Sequence, residues 1–139
     1  MLDLVTDRTD ADVRAENDKG IYQATDLNRV TEAMEYLNDI LTSRGYKTGY
    51  KRVYIIATRY VWVEEDNPST EQINAYLDNV RALRSAITVL PSTPRVPPNI
   101  SFNWDGANNI EQILLDIEQL LINMQTAWYY CGELYAGEV

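Results

Sequence analysis

Apolar residues recur in three places along the chain at the three- and four-residue steps of an amphipathic helix. Leu27, Val30, Met34, Leu37 and Leu41 form the first stripe. It predicts a helix over 25–44, opened by a Thr25-Asp26 cap and closed by Gly45. Ile73, Tyr76, Val80, Leu83 and Ile87 form the second, over 69–89, where Gln72 follows a Ser69 cap in the pattern of a capping box. The third runs through Ile110, Leu114, Ile117, Leu121, Met124, Trp128 and Cys131 and predicts a helix over 105–131 that Gly132 closes. Ahead of these, Thr9-Asp10-Ala11-Asp12 predicts a short capped helix over 10–17 that stops near Lys19-Gly20, with Ile21 and Tyr22 as anchors. Pro91, Pro94, Pro97 and Pro98 make 90–101 a stiff, extended linker; this bland reading outweighs the match of Pro91-Ser92-Thr93-Pro94 to a PxxP ligand.

Residues 50–63 break the helical pattern. Val53, Ile55, Ala57, Val61 and Val63 alternate with Tyr54, Ile56, Thr58, Tyr60 and Trp62, the two-residue period of a β-strand. No turn signal folds the run back on itself, so the strand needs a partner: Ile21–Ala24, Ile100–Asn103, Tyr46–Lys51 or another molecule. The expected fold is therefore mainly α within an α+β class: one domain, a three-helix bundle with a long β-strand or β-arm between its first and second long helices. The last helix also carries apolar flanks, Ile113 and Leu120 on one side and Leu115, Ile122 and Tyr129 on the other. Such a broad surface asks for cover from two sides, by the bundle and by a second chain.

Chemistry narrows the picture further. The chain of 139 residues has no His and a single Cys, which removes His-based triads, imidazole metal sites and an intrachain disulfide. Cys131 lies on an apolar stripe with no His base to activate it and reads as a buried thiol. The Glu64-Glu65-Asp66 run lacks the ligand spacing of a calcium loop and reads as a solvated turn. No catalysis, cofactor or metal is expected. A net charge of -9 opposes phosphate binding, so nucleic acid is an unfavoured partner, although Tyr54, Tyr60 and Trp62 among basic residues have the composition of a base-stacking surface. With no long apolar run and no leader, a membrane is not expected either, and the product is expected to be made in the cytoplasm. Between Asp39 and Glu64 stand Arg44, Lys47, Lys51, Arg52 and Arg59 without an acid, whereas Val96 to Val139 holds six acids and no base. Opposite fields of this kind steer docking within a subunit or between neighbours.

Four stretches carry a resemblance: Asp7-Arg8-Thr9 with Ala11-Asp12-Val13, Tyr22-Gln23-Ala24-Thr25-Asp26-Leu27-Asn28-Arg29-Val30, Tyr76 to Arg84 with the Pro91 to Pro97 linker, and Ala107-Asn108-Asn109-Ile110-Glu111 with the closing Gly132 to Glu138. In this order they resemble small virion and tail-associated structural proteins encoded by phages and prophages of gut Gram-positive bacteria. The family often has a longer insert after the Asp-Arg-Thr segment, and the basic strand is unusual for it. The resemblance implies a structural or adaptor subunit of the tail, baseplate or fibre attachment, located in the virion, with other virion proteins and further copies of itself as partners. The residues expected to make those contacts are Lys51, Arg52, Tyr54, Arg59, Tyr60 and Trp62 on the strand and Leu115, Ile122 and Tyr129 on the last helix. A module that binds a host protein or glycan through the aromatic strand, and a phage nucleic-acid accessory protein, are the alternatives.

Overall fold

The structure is a computed structural model that describes residues 2–15, 24–55, 59–66, 68–98 and 104–137, with side chains as far as Ala127. It is mainly helical: α1 is Asp10–Arg14, α2 Ala24–Ser43, α3 Thr70–Ala86 and α4 Trp104–Gly137. The predicted caps are made where the sequence places them. Thr9 and Asp12 exchange side-chain and backbone hydrogen bonds around the start of α1, and Ser69 and Gln72 do the same at α3. At the other end of α2, Gly45 takes a φ of 90°, its N–H donates to Thr42 and the Tyr46 N–H reaches back 2.9 Å to the Leu41 carbonyl. These are the paired bonds of a Schellman stop.

Two helix ends differ from expectation. The α2 helix starts at Ala24, so Thr25 lies inside the first turn rather than at the cap, and Asp26 is drawn into the interior. The α4 helix continues through Gly132 to Gly137. Glycine costs a helix interior about 1 kcal/mol relative to alanine, which is too little to end a helix that its neighbours favour. The expected stop at Gly20 and the anchors Ile21 and Tyr22 lie outside the described residues.

The expected β-strand over 50–63 is corrected: no strand forms among the described residues, which leaves 50–55 and 59–63 as extended, irregular chain. Its cause is the direction of the helices. Moving backward along α2, Asn38 meets Thr48, Glu35 meets Tyr50 and Arg52, and Asn28 meets Trp62. Moving backward along α3, Ala82 lies 3.9 Å from where a Gly49 side chain would begin, Asn79 binds Lys51, and Gln72 reaches Ile55. The segment thus runs antiparallel to both helices, which makes α2 and α3 parallel to each other. The α4 helix shares their direction, because Arg29 near the start of α2 meets Glu111, while Arg44 just past its end meets Leu121 and Gln125. Parallel neighbours cannot be joined by short turns. Each connection must run the length of the bundle, and an extended chain with one face against the helices shows the same two-residue alternation as a strand.

The three long helices pack on one another around a core that includes Val30, Leu37, Leu41, Leu77, Val80, Leu83, Ile110, Leu114 and Ile117. Extended straps lie along them. Residues 2–9 form the first strap, 46–55 and 59–66 the second and 87–98 the third. The prolines of the third strap offer carbonyls and no N–H, and it is held by donors: Arg84 reaches Thr93 and Pro94, and Arg81 reaches Pro97 and Pro98. Thr93, buried, donates to Asp116 of α4.

Candidate interaction surface

In the first two straps, backbone groups that no sheet pairs are taken up by asparagines on the helices. Asn79 of α3 accepts from the Lys51 N–H at 3.0 Å and donates to its carbonyl at 2.7 Å. Asn28 of α2 does the same for Trp62, with both bonds at 2.8 Å. Asn108 of α4 does so for Arg8, at 3.1 and 2.9 Å. A side-chain amide has the donor and acceptor of a peptide group side by side, so each asparagine stands in for one rung of a neighbouring strand. Losing the amide leaves both partners unsatisfied, at about 1–3 kcal/mol for a buried group. Asn79→Ala is accordingly expected to destabilise the fold by about 1–3 kcal/mol, read as a lower urea midpoint followed by circular dichroism.

These clamps decide which side of the second strap faces outward. Trp62 is only 5% exposed and belongs to the core. It is thereby withdrawn from the contact residues expected on the strand. On either side of it Val61 and Val63 are 51% and 43% exposed, and Tyr54 is 50% exposed. Lys51 and Arg52 are exposed, and Arg59 and Tyr60 half-buried. The Tyr54 and Tyr60 rings meet edge to face at 6.2 Å, and the Arg52 guanidinium lies 4.0 Å over the Tyr60 ring centre.

Carboxylates hold the arginines in place. Glu35 of α2 binds Arg52 at 2.8 Å and accepts from the Tyr50 hydroxyl. Burial, reinforced by the Glu35 charge, pushes the Tyr50 phenol well above its usual range. Asp66 binds Arg59 through two parallel bonds of 2.7 and 2.9 Å and accepts from the Val63 N–H. The Arg59 hydrogen bonds, followed by that N–H, hold the Asp66 carboxyl down at about 2 against an ordinary 3.8. A depressed folded value contributes stability above the unfolded pKa, and that contribution fades as pH falls toward the folded one. The 59–66 turn is therefore expected to hold above pH 4 and loosen toward about pH 2, seen as a shift of the Val63 amide resonance in a titration.

The expected attraction between the basic segment and the acidic C-terminal part takes a different form. Arg52 and Arg59 pair with Glu35 and Asp66, and Arg44 meets α4 through the Leu121 carbonyl and Gln125. The carboxylates of α4 instead receive the N-terminal strap and α2. On α4 itself, Leu115 is half-buried and Ile122 is 38% exposed, while the Tyr129 and Cys131 side chains lie outside those described. A cleft of about 600 Å³ is lined by Arg44, Tyr46, Met124 and Gln125, where α2 ends and α4 continues. Among the described residues no cluster of His, Cys, Asp or Glu could hold a metal, and no helix is long and apolar enough to cross a membrane.

Neither a protein-family model, nor a curated protein, nor a solved structure matches the chain. Its surface is thus read from its own chemistry. The largest feature that sequence reasoning missed is buried: Arg8, Asp26, Arg29 and Glu111 form a four-residue ionic cluster. Arg8 and Glu111 meet at 2.6 Å and Arg29 reaches the other Glu111 oxygen at 2.7 Å. Burial works against the Arg29 charge, but the hydrogen bonds and charges of Glu111 and Asp26 outweigh it and hold the guanidinium above its ordinary range. The cluster's four members come from three stretches far apart in sequence, the first strap, the first turns of α2 and the start of α4.

Proposed function

We propose that the chain is a structural or adaptor subunit of a larger particle, of the phage tail, baseplate or fibre-attachment kind, and acts by docking to other proteins. The observation that carries this reading is the outer face of the second strap. Tyr54, Tyr60, Val61 and Val63 give an apolar and aromatic surface beside two arginines already fixed by ion pairs. Tyrosine and arginine are enriched where interfaces gain most of their energy, and side chains ordered before contact lose less entropy on binding. Contacts come from Lys51, Arg52, Tyr54, Arg59 and Tyr60, with Leu115 and Ile122 as a second surface on α4. The resemblance to virion proteins names the kind of particle.

A mass-spectrometric inventory of particles purified from a lysogen carrying the gene tests the reading. The chain is expected at a fixed stoichiometry, reduced by Tyr54→Ala with Tyr60→Ala. Particles complete without it would overturn the proposal. The Tyr54–Tyr60 pair beside Arg52 also favours a second reading, recognition of a host glycan or protein by the isolated chain, which requires saturable binding lost with Tyr54→Ala. Nucleic-acid binding gains less support, because Glu35 and Asp66 already neutralise Arg52 and Arg59.

A further inference from the structure

The α4 helix begins as a core helix and outlasts the bundle around it. Written as heptads, it places Leu114, Leu121, Trp128 and Tyr135 at position a, and Ile110, Ile117, Met124 and Cys131 at position d. From Ala107 to Leu121 the a and d positions are buried, and so are Glu111, Ile113 and Glu118 at the flanking e and g positions. Just beyond, Ile122, Asn123, Gln125, Thr126 and Ala127 are all exposed. The level of the neighbours explains the change. Arg44 and Tyr46, where the chain turns back from α2, meet Gln125 and Met124. Thr93 links Arg84, near the end of α3, to Asp116. Among the described residues, no hydrogen bond from α2, α3 or a strap reaches further along α4. The helix still runs to Gly137, and residues 126–137 advance it about 18 Å.

What continues past the bundle is the register of the buried face. From Met124 to Tyr135 the a, d, e and g positions hold Gln125 and otherwise only apolar, aromatic or small residues. The one charge between Gln119 and Gly137 is Glu133, which falls at f, on the opposite side of the helix. Charged e and g positions are what select a different partner in paired helices. Their absence leaves a seam that matches itself, and in a chain of net charge -9 it is a face on which two copies bring no like charges together.

We propose that the overhanging end of α4, residues 122–137, pairs antiparallel with the same stretch of a second copy. The proposal rests on the assembly reading and names one of its contacts. Alignment about the midpoint between 129 and 130 sets position 128 against 131 and position 124 against 135, so each layer joins an a residue to a d residue and the two-fold axis closes the contact. The same alignment brings position 135 of the neighbour level with Met124. There a cleft of about 600 Å³, lined by Arg44, Tyr46, Met124 and Gln125, offers an apolar wall and a guanidinium to an incoming tyrosine. Direction follows from charge. Antiparallel pairing keeps the two acidic bundles at opposite ends of the contact, whereas parallel pairing would set them side by side.

Sedimentation velocity on the full chain tests it. The wild type is expected to dimerise with concentration, and Trp128→Glu to weaken the dimer at least about thirtyfold, the factor that a buried interfacial aromatic commonly carries. The urea midpoint, read at a concentration where the wild type is monomeric, should stay where it is, because position 128 lies past the bundle. A midpoint lowered as by a core substitution would mean that Trp128 packs on its own chain, and would overturn the proposal. Direction is read by mixing Trp128→Lys with Cys131→Glu. Antiparallel layers set the lysine against the glutamate, so native mass spectrometry should show the heterodimer in excess over both homodimers; parallel layers set 128 against 128 and give no such excess. A wild type that stays monomeric, a dimer indifferent to Trp128→Glu, or a mixture without preference also refutes the pairing. The particle inventory remains separate: fixed stoichiometry in particles with a monomer in solution would remove this contact and keep the assembly reading.

Discussion

Replacing Glu111 with alanine is expected to cost about 3–5 kcal/mol, the usual range when one partner of a buried ion pair is removed and the other charge stays behind. Glu111 has no exposed surface and accepts from Arg8, Arg29 and the Val5 N–H. Its loss takes from the buried Arg8 guanidinium its 2.6 Å carboxylate partner, while the Asp26 contact is longer, at 3.5 Å. Urea unfolding followed by circular dichroism reads the effect. Arg8→Ala should cost less, because Glu111 then still holds Arg29 at 2.7 Å. Equal costs for the two would mean that the four charges do not act as described.

Trp62→Ala is expected to be of similar size, about 3–5 kcal/mol, the range for emptying a buried aromatic site. The indole belongs to the core, and its backbone is tied to Asn28. Tyr54→Ala, eight residues away on the outer face, should change stability by less than about 0.5 kcal/mol, as surface substitutions do. The pair separates folding from docking. A partner lost through Tyr54→Ala at unchanged stability marks the contact surface, whereas any loss through Trp62→Ala follows from unfolding.

The helices were legible because their stripes and caps are local. Leu27 to Leu41 and Ile110 to Leu121 announce a buried face wherever the rest of the chain lies, and the Thr9-Asp12 and Ser69-Gln72 boxes need only three residues of neighbouring sequence. The second strap was legible in half. Its alternation predicts a strand, but neither set of alternate residues is covered throughout: Ile55 packs on the core while Val61 and Val63 are exposed, and Tyr54 is exposed while Trp62 is buried. Parallel helices required a long return, and the groups that pair with its backbone are Asn28 and Asn79, which lie far off in sequence and look like ordinary polar helix residues. For the same reason Trp62 read as a contact residue. Alternation places Tyr54 and Trp62 on the same side, yet the Asn28 clamp holds Trp62 inward while Tyr54 stays exposed.

Glu111 escaped notice through a similar blindness. An acid among Ile110, Ile113 and Leu114 reads as the polar edge of an amphipathic helix, and only the arrival of Arg8 and Arg29 turns it inward. Lys51, Arg52 and Tyr54 are exposed, although the arginines' own partners, Glu35 and Asp66, could not be read from charge counts along the chain.

The central claim is that side chains borne by the helices, in place of sheet pairing, hold the extended segments to the bundle. Amide hydrogen exchange followed by NMR on the wild type and on Asn28→Ala, Asn79→Ala and Asn108→Ala tests it most directly. The Trp62, Lys51 and Arg8 amides should be protected in the wild type, and each substitution should release its own amide while the other two stay slow. Protection that survives all three substitutions, or spreads through alternate residues of 50–63 as in a paired strand, would contradict it.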